Sequence, residues 1–371
     1  MKRLVLLGAG HAHLAVLRDF AHVRPAEVAI TLVTPESHVV YSGMVPGIVA
    51  GHYREDETAI DAADLARRAR ASFVAAHAGA VDPQAREVRC ADGRVVAYDV
   101  LSVNVGPDVA GLDVPGVRSH AIPVRPFGAF LDAWAQTLEA ARSGGVTSIT
   151  LVGGGAGGVE LALAMDHRLR QVMGTDAVHV RVATDAQRIV PEFTAAARRR
   201  LQRRLSARNV GVHAGNAVVE VGARHVRVRG GLEFASDRTF WVAGAAAPSW
   251  IGAAGFATDE RGFLLTDAFL RSVSHPQVFA AGDCATREDA PRPKAGVFAV
   301  RAAPALAKNL RAALANTPLA PHVSSARYLA LISTGARHAV GTWNGLSWEG
   351  DWVWRWKDRV DRAWVEGFQP A

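Results

Sequence analysis

Unbroken apolar runs recur along the chain, and two of them lead straight into glycines. Arg3–Leu7 and Ser148–Val152 are short, rich in Leu, Val and Ile, and largely lack polar alternation, so they read as strands buried on both faces of a parallel sheet. After the first, Leu14, Leu17 and Phe20 recur at helical spacing; after the second, Val159, Leu161, Leu163 and Met165 begin an apolar helix running toward Leu169. Each unit is strand, turn, helix, and each is followed by another apolar strand, Ala29–Val33 and Val178–Val182. Between the units the pattern predicts a polar helix from Ala62 to Arg70, strands near Phe73–Ala76, Arg86–Cys90 and Val95–Ala97 with Asp92-Gly93 as a hairpin turn, and a strand Val100–Val105 leaving at Gly106-Pro107. Proline-rich sequence from Pro107 to Pro126 reads as a linker. The second unit closes near Thr239–Gly244, and Gln277–Ala281 is a further strand that ends at Gly282-Asp283.

The two turns carry the first chemistry. Gly8-Ala-Gly10 and Gly153-Gly-Gly155-Ala-Gly157-Gly158 sit between strand and helix, where glycine allows a tight turn and close approach of a pyrophosphate to the helix N-terminus. The second turn has all three of its glycines, Gly153, Gly155 and Gly158, whereas His13 holds the third position of the first, with His11 two residues before it. Either His13 is a packed residue with a hydrogen bond, or its imidazole serves a flavin or substrate. Neither following strand ends in the usual ribose-binding acid: one ends at Thr34, the other at Thr184, which leaves threonine hydroxyls or the displaced Glu36 and Asp185. Asp283, at the end of a strand, could hydrogen-bond a sugar-like hydroxyl or serve as the N-cap of a helix. The predicted fold is α/β, with two Rossmann-like dinucleotide-binding domains. The first spans 1–110 and 246–320, the second is inserted as 111–245, and a small C-terminal α/β segment occupies 321–371.

Composition narrows the classes. With 371 residues, 49% of them hydrophobic and 21% charged, the chain is globular rather than disordered or fibrous. A net charge of +7 favours acidic partners such as nucleotide phosphates or an anionic surface. The densest basic run, Arg198-Arg-Arg200 with Arg203 and Arg204, lies on a helical pattern backed by Leu201 and Leu205 and reads as a solvated face, not a nucleic-acid patch. The two cysteines, Cys90 and Cys284, form no close pair, which excludes dithiol chemistry and fits a reducing, cytoplasmic compartment. Cys284, next to Asp283, reads as an inert buried thiol. The opening residues imitate a secretion signal, but glycines and histidines interrupt the run, and no stretch reaches about 18 consecutive apolar residues.

These motifs, together with Gly10-His-Ala-His13, Tyr41-Ser-Gly-Met-Val-Pro-Gly47, Gly51-His-Tyr53, Pro293-Lys-Ala-Gly296 and Trp352-Val-Trp-Arg-Trp-Lys-Asp-Arg359, resemble the pyridine nucleotide-disulfide oxidoreductase superfamily. Within it the chain is similar to the type II NADH:quinone oxidoreductase-like branch, which also occurs fused to selenophosphate synthetase. The resemblance implies FAD and NADH or NADPH as cofactors. It implies an FAD site at Gly8, Gly10, His11, His13, Thr34, Ser42, Gly43, Val81, Gly106, Gly282, Asp283, Lys294 and Ala295. It implies a nicotinamide site at Gly153, Gly155, Gly158, Glu160, Thr184 and Gly244; the missing ribose acids leave NADH and NADPH both open, with Arg188 a candidate partner for a 2′-phosphate. Glu160, near the nicotinamide, and Lys294, beside the flavin pyrimidine, are the candidate catalytic residues; the plain alternatives are a first-turn acid on the helix dipole and a surface lysine. The absent cysteine pair separates the chain from disulfide reductases and from sulfide oxidation.

The tail bears on the electron acceptor, which the resemblance makes a quinone or similar small molecule. Trp352, Trp356, Val360, Trp364 and Phe368 recur every four residues, with charged residues on other faces. Such a stripe can pack on the flavin domain or a second subunit, or lie weakly on the inner face of the cell membrane. The expected activity is hydride transfer from NAD(P)H to flavin and electron release to that acceptor. The alternatives are a quinone-linked flavoprotein with another donor and a flavin-bound sensor module of selenium metabolism.

Overall fold

The computed structural model describes residues 1–174, 177–323 and 325–369. Two five-stranded parallel sheets form its frame. The first has the order Val278–Ala280, Val100–Val103, Lys2–Leu7, Val28–Thr34, Ser72–Ala75. The second has the order Ala121–Pro123, Arg238–Trp241, Ser148–Val152, His179–Thr184, Gly211–Ala214. In each sheet the strand that feeds a glycine turn is central, so the turn emerges at the carboxyl edge where ligands of open α/β sheets bind.

The apolar runs reflect burial on both faces. Leu4 and Leu6 pack with Leu14, Leu17 and Phe20 of the helix His11–His22 and with Leu306 and Leu310 of the helix Gly296–Ala315. Val5 and Leu7 face the other way, into a cluster with Tyr98, Leu101 and Phe256. In the second sheet Ile149 and Leu151 pack with Leu161, Met165, Phe130 and Phe240.

The proline-rich stretch is more ordered than a linker. Asp108–Val109 pairs antiparallel with Ala245–Ala246, so the two crossings between the sheets run side by side. Ala121–Pro123 is the edge strand of the second sheet, a position that tolerates Pro123 because one side of the strand needs no donor.

The C-terminal segment adds a third layer. Ala330–Thr334, Ala336–Trp343 and Leu346–Gly350 form an antiparallel sheet, followed by the helix Asp351–Glu366. Ile332 and Val340 enter the core of the second sheet while Ala339 and Val353 enter that of the first, so this layer bridges both. The helix does not bury its tryptophan stripe as one face. Steps of four residues drift about 40° each on a helix of 3.6 residues per turn, so Trp352 and Trp356 stay 50% and 37% exposed while Phe368, just past the helix end, is buried. The packed face is instead Val353, Trp354, Lys357, Asp361 and Val365.

The basic helix Ala195–Ala207 departs from the solvated face predicted for it. Arg200 Nη1 and Arg203 Nη2 reach Glu349 Oε1 at 2.8 and 3.0 Å, and Arg204 Nε reaches Oε2 at 3.2 Å. A single glutamate of the third layer therefore gathers three arginines, a tertiary contact that helical spacing alone cannot announce.

Candidate functional site

The second turn has the tight geometry that its glycines require. A Cβ on Gly158 would overlap the carbonyl oxygen of Gly153, so only glycine lets the helix Ala156–Met173 approach its strand this closely. Gly155, the N-cap, has no atom within 4 Å of where a Cβ would sit, so this face of the turn is open to a ligand.

The first turn solves the same problem differently. His13 occupies the position of Gly158, and its ring replaces backbone contact with hydrogen bonds: Nδ1 meets Gly8 O at 2.6 Å and Nε2 meets Ser102 Oγ at 2.8 Å. It is fully buried, which lowers its pKa to about 4 and keeps it neutral. Both nitrogens are engaged inside the fold, so His13 braces the turn instead of facing a cofactor. His11 points elsewhere, 5.2 Å from the Tyr41 ring and 6.2 Å from Trp364, with Nε2 3.5 Å from Ser42 Oγ. Burial, with Arg125 adding, lowers its pKa to about 4 as well.

Glu160 lies in the second-turn helix but complements no dipole. It is buried, and Oε1 accepts from the Ser333 N–H at 2.7 Å. Burial pushes its carboxyl up to about 7, while the Lys357 ammonium holds it down. Lys357 Nζ donates to Gly43 O at 2.7 Å and to Asp361 Oδ2 at 2.6 Å. The loop Ser42–Gly43, the second-turn helix and the terminal helix thus share one buried electrostatic cluster. Tyr41 belongs to it, its phenol pushed up to about 12 by burial and by Asp361.

On the return strand, burial raises the Asp283 pKa while Arg125 and Lys294 pull it down. Neither Asp283 nor Arg125 has a hydrogen-bond partner among the described residues, and Arg125 Nη1 lies 3.8 Å from where a Cβ on Gly106 would sit. Lys294 is not a surface lysine: Nζ donates to Ala285 O at 2.7 Å and Thr286 Oγ1 at 2.9 Å and lies 3.7 Å above the Phe263 ring. Ala295 is the N-cap of the helix that begins at Gly296, and Gly282 stands beside Asn104.

The remaining predicted positions differ in character. Val81 is a core side chain paired with Val88. Thr34 and Thr184 are buried strand ends, and Thr184 Oγ1 already accepts from Ala186 N–H at 3.3 Å. Glu36, Asp185 and Arg188 are exposed beyond them. Gly244 accepts from Ala110 N–H at the crossing of the two sheets. Both cysteines are buried and unbridged, the Cys284 thiol pushed up to about 11 by burial. Among the described residues no cluster has the make-up of a metal site.

Sequence reasoning gave no role to Asn104, Arg125, Tyr41 or Lys357. Tyr41 and Lys357 lie within motifs quoted above, and Val353, Lys357, Asp361 and Val365 recur every four residues, but Asn104 and Arg125 left no trace. The residues present fit two dinucleotides: an open Gly155 face for one diphosphate, and for the other a first turn flanked by the Asp283 carboxylate and by the Arg125 guanidinium, which lies over the Phe127 ring.

Known proteins agree. The chain is 28% identical over 294 residues to an NADH dehydrogenase-like protein of Mycobacterium tuberculosis, covering 77% of this chain and 73% of that one. Its fold is shared with the sulfide:quinone oxidoreductase of Aquifex aeolicus, at TM-score 0.82 and 18% identity over 99% of this chain and 92% of that one. It is shared also with NDH2 from Plasmodium falciparum in complex with NADH, at TM-score 0.80 and 14% identity over 98% of each chain. Residues 2–308 match the family model of pyridine nucleotide-disulphide oxidoreductase. With a dinucleotide turn at the centre of each parallel sheet, the chain belongs to the pyridine nucleotide-disulphide oxidoreductase family, as an oxidoreductase whose cofactors are FAD and NAD(P)H.

Proposed function

We propose that the chain is an FAD-dependent NAD(P)H dehydrogenase that delivers electrons to a quinone or a similar small acceptor. The observation that carries this reading is Glu160: a buried carboxyl with a pKa near 7, borne on the helix of the second turn and close in charge to Lys357, which grips the Ser42–Gly43 loop. A quinone takes up protons as well as electrons, and this carboxyl can supply one near neutral pH. The names of relatives support the acceptor class, and two buried, separate thiols argue against a disulfide.

FAD, when bound, accepts hydride and passes electrons on. The chain supplies alignment and charge. Gly8, Gly10 and His11 would hold the flavin diphosphate, Asp283 would accept from a ribityl hydroxyl, and Arg125 would offset the anion beside Gly106. Lys294 would keep positive charge near Asp283. Gly153, Gly155 and Gly158 would seat the nicotinamide dinucleotide, with Thr184 and Gly244 along it. Glu160 would hold the proton that leaves with the acceptor, and Lys357 would fix the loop.

The purified protein should be yellow and should bleach without oxygen on addition of NADH or NADPH, then recover colour with a short-chain quinone. Absorbance that persists after both nucleotides would refute the dehydrogenase reading; bleaching by another donor alone would favour the alternative quinone-linked flavoprotein.

The exposed indoles offer the acceptor's approach. Trp352, Trp356 and Val360, with Arg355 and Arg359 beside them, form an apolar and basic surface suited to a membrane interface. Among the described residues no helix is long and apolar enough to cross a membrane. Co-sedimentation with phosphatidylglycerol vesicles should fall several-fold in the double variant Trp352→Ser, Trp356→Ser; unchanged binding would rule this surface out.

A further inference from the structure

Both turns present a helix N-terminus, but their backbone donors are not equally available. Among the described residues, no protein acceptor reaches the N–H groups of Ala156, Gly157 and Gly158 in the second turn, and no side chain caps that helix. In the first, the carboxamide of Asn104 takes the role of an N-cap, while the N–H of His11 has no protein acceptor among the described residues. Asn104 Oδ1 accepts from Ala12 N–H at 3.0 Å and His13 N–H at 3.2 Å, and its Nδ2 donates to Ala281 O at 2.6 Å. Its backbone oxygen accepts from Gly10 N–H at 3.0 Å. Asn104 is 2% exposed, and one side chain thereby joins the glycine turn, the end of the strand Val100–Val103 and the return into Gly282-Asp283.

The consequence lies in when order is imposed. An uncapped turn has donors that water satisfies and that each arriving ligand must strip and align. A turn already tied down by a buried side chain loses less freedom on binding, and that is the physical route to a tighter complex. We propose that Asn104 is the positioning residue of the FAD site, holding the flavin turn and the Asp283 turn in binding geometry before the cofactor arrives. The same feature makes the first turn a resident-cofactor site and leaves the second, uncapped, for the nucleotide that comes and goes. This rests on the reading above that the first turn takes FAD.

The test uses apoprotein of the full chain and two probes, FAD for the first turn and ADP-ribose for the second, each titrated by calorimetry. Asn104→Ala should weaken FAD at least tenfold and leave ADP-ribose unchanged. Asn104→Asp keeps an acceptor for Ala12 and His13 but loses the Nδ2 donor to Ala281 O and sets a buried negative charge beside the diphosphate, so its FAD affinity should fall too. FAD binding unchanged in both variants, or FAD and ADP-ribose weakened alike with a lowered melting temperature, would overturn the proposal. Weakening of ADP-ribose alone would instead show that the turns are assigned the wrong way round, and would remove the proposal with that assignment.

Discussion

Gly158→Ala is expected to weaken reduction of the flavin by NADH and NADPH up to about a hundredfold while leaving FAD content and reduction by dithionite intact. The methyl group has nowhere to go: it would overlap the Gly153 carbonyl oxygen, which belongs to rigid backbone at the end of a central strand. The helix Ala156–Met173 would have to move outward, and it is packed through Val159, Leu161, Leu163 and Met165. Overpacking of this kind costs about 1–3 kcal/mol, and the N–H groups would leave the diphosphate as the helix moves. At about 1.4 kcal/mol per tenfold in affinity, the expected loss is roughly fivefold to a hundredfold, read as the nucleotide dependence of the anaerobic bleaching rate. FAD is spared because its turn belongs to the other sheet. Wild-type bleaching by both nucleotides in this variant would mean that the second turn does not carry the nicotinamide.

Glu160→Gln should remove the pH dependence of flavin reoxidation by quinone. A carboxyl raised to about 7 by burial is protonated below that pH and ionised above it. As a proton donor it therefore supports the wild-type rate in mildly acid solution, and the rate should decline as pH rises through about 7. Glutamine keeps an oxygen for the Ser333 N–H but has no proton to give in this range. General acid catalysis is worth about 10²–10⁴ in rate, so the variant should be slower by at least the lower of these factors and flat across the window. Stopped-flow reoxidation between pH 5.5 and 8.5, both values roughly one to two units from the titration midpoint, gives the profile. A variant that retains the limb near 7 would assign that proton to another group.

Much of the frame was legible because burial on two faces leaves a plain mark. The runs Arg3–Leu7 and Ser148–Val152 proved to be the central strands, and the Asp92-Gly93 hairpin lies between Glu87–Cys90 and Val95–Ala97 as its turn chemistry requires. The site was less legible, for a consistent reason. Glycines mark it because their role is local, set within a few residues of one strand. Asn104, Arg125 and Lys357 act across distances in sequence that no pattern spans: Lys357 reaches Gly43, and Asn104 reaches both Ala12 and Ala281. His13 illustrates the boundary. Its departure from glycine was visible, but the compensation, hydrogen bonds to Gly8 O and Ser102, depended on a strand some ninety residues away. Val81, assigned to the cofactor by family likeness, lies with its side chain in the core.

The gathering of Arg200, Arg203 and Arg204 onto Glu349 sets a limit on modularity. The inserted nucleotide unit can look like a transferable cassette, bounded by paired crossings at Asp108–Val109 and Ala245–Ala246. Yet its outer helix finds its counter-charge in a hairpin more than a hundred residues downstream, and Ile332 and Val340 complete its core. A chimera that exchanges the cassette alone would strand three guanidinium groups opposite a foreign surface and open an apolar gap beneath them. Grafts between relatives would have to carry the three-stranded sheet from Ala330 to Gly350 together with the insert, so the heritable unit is discontinuous even where the domain is not.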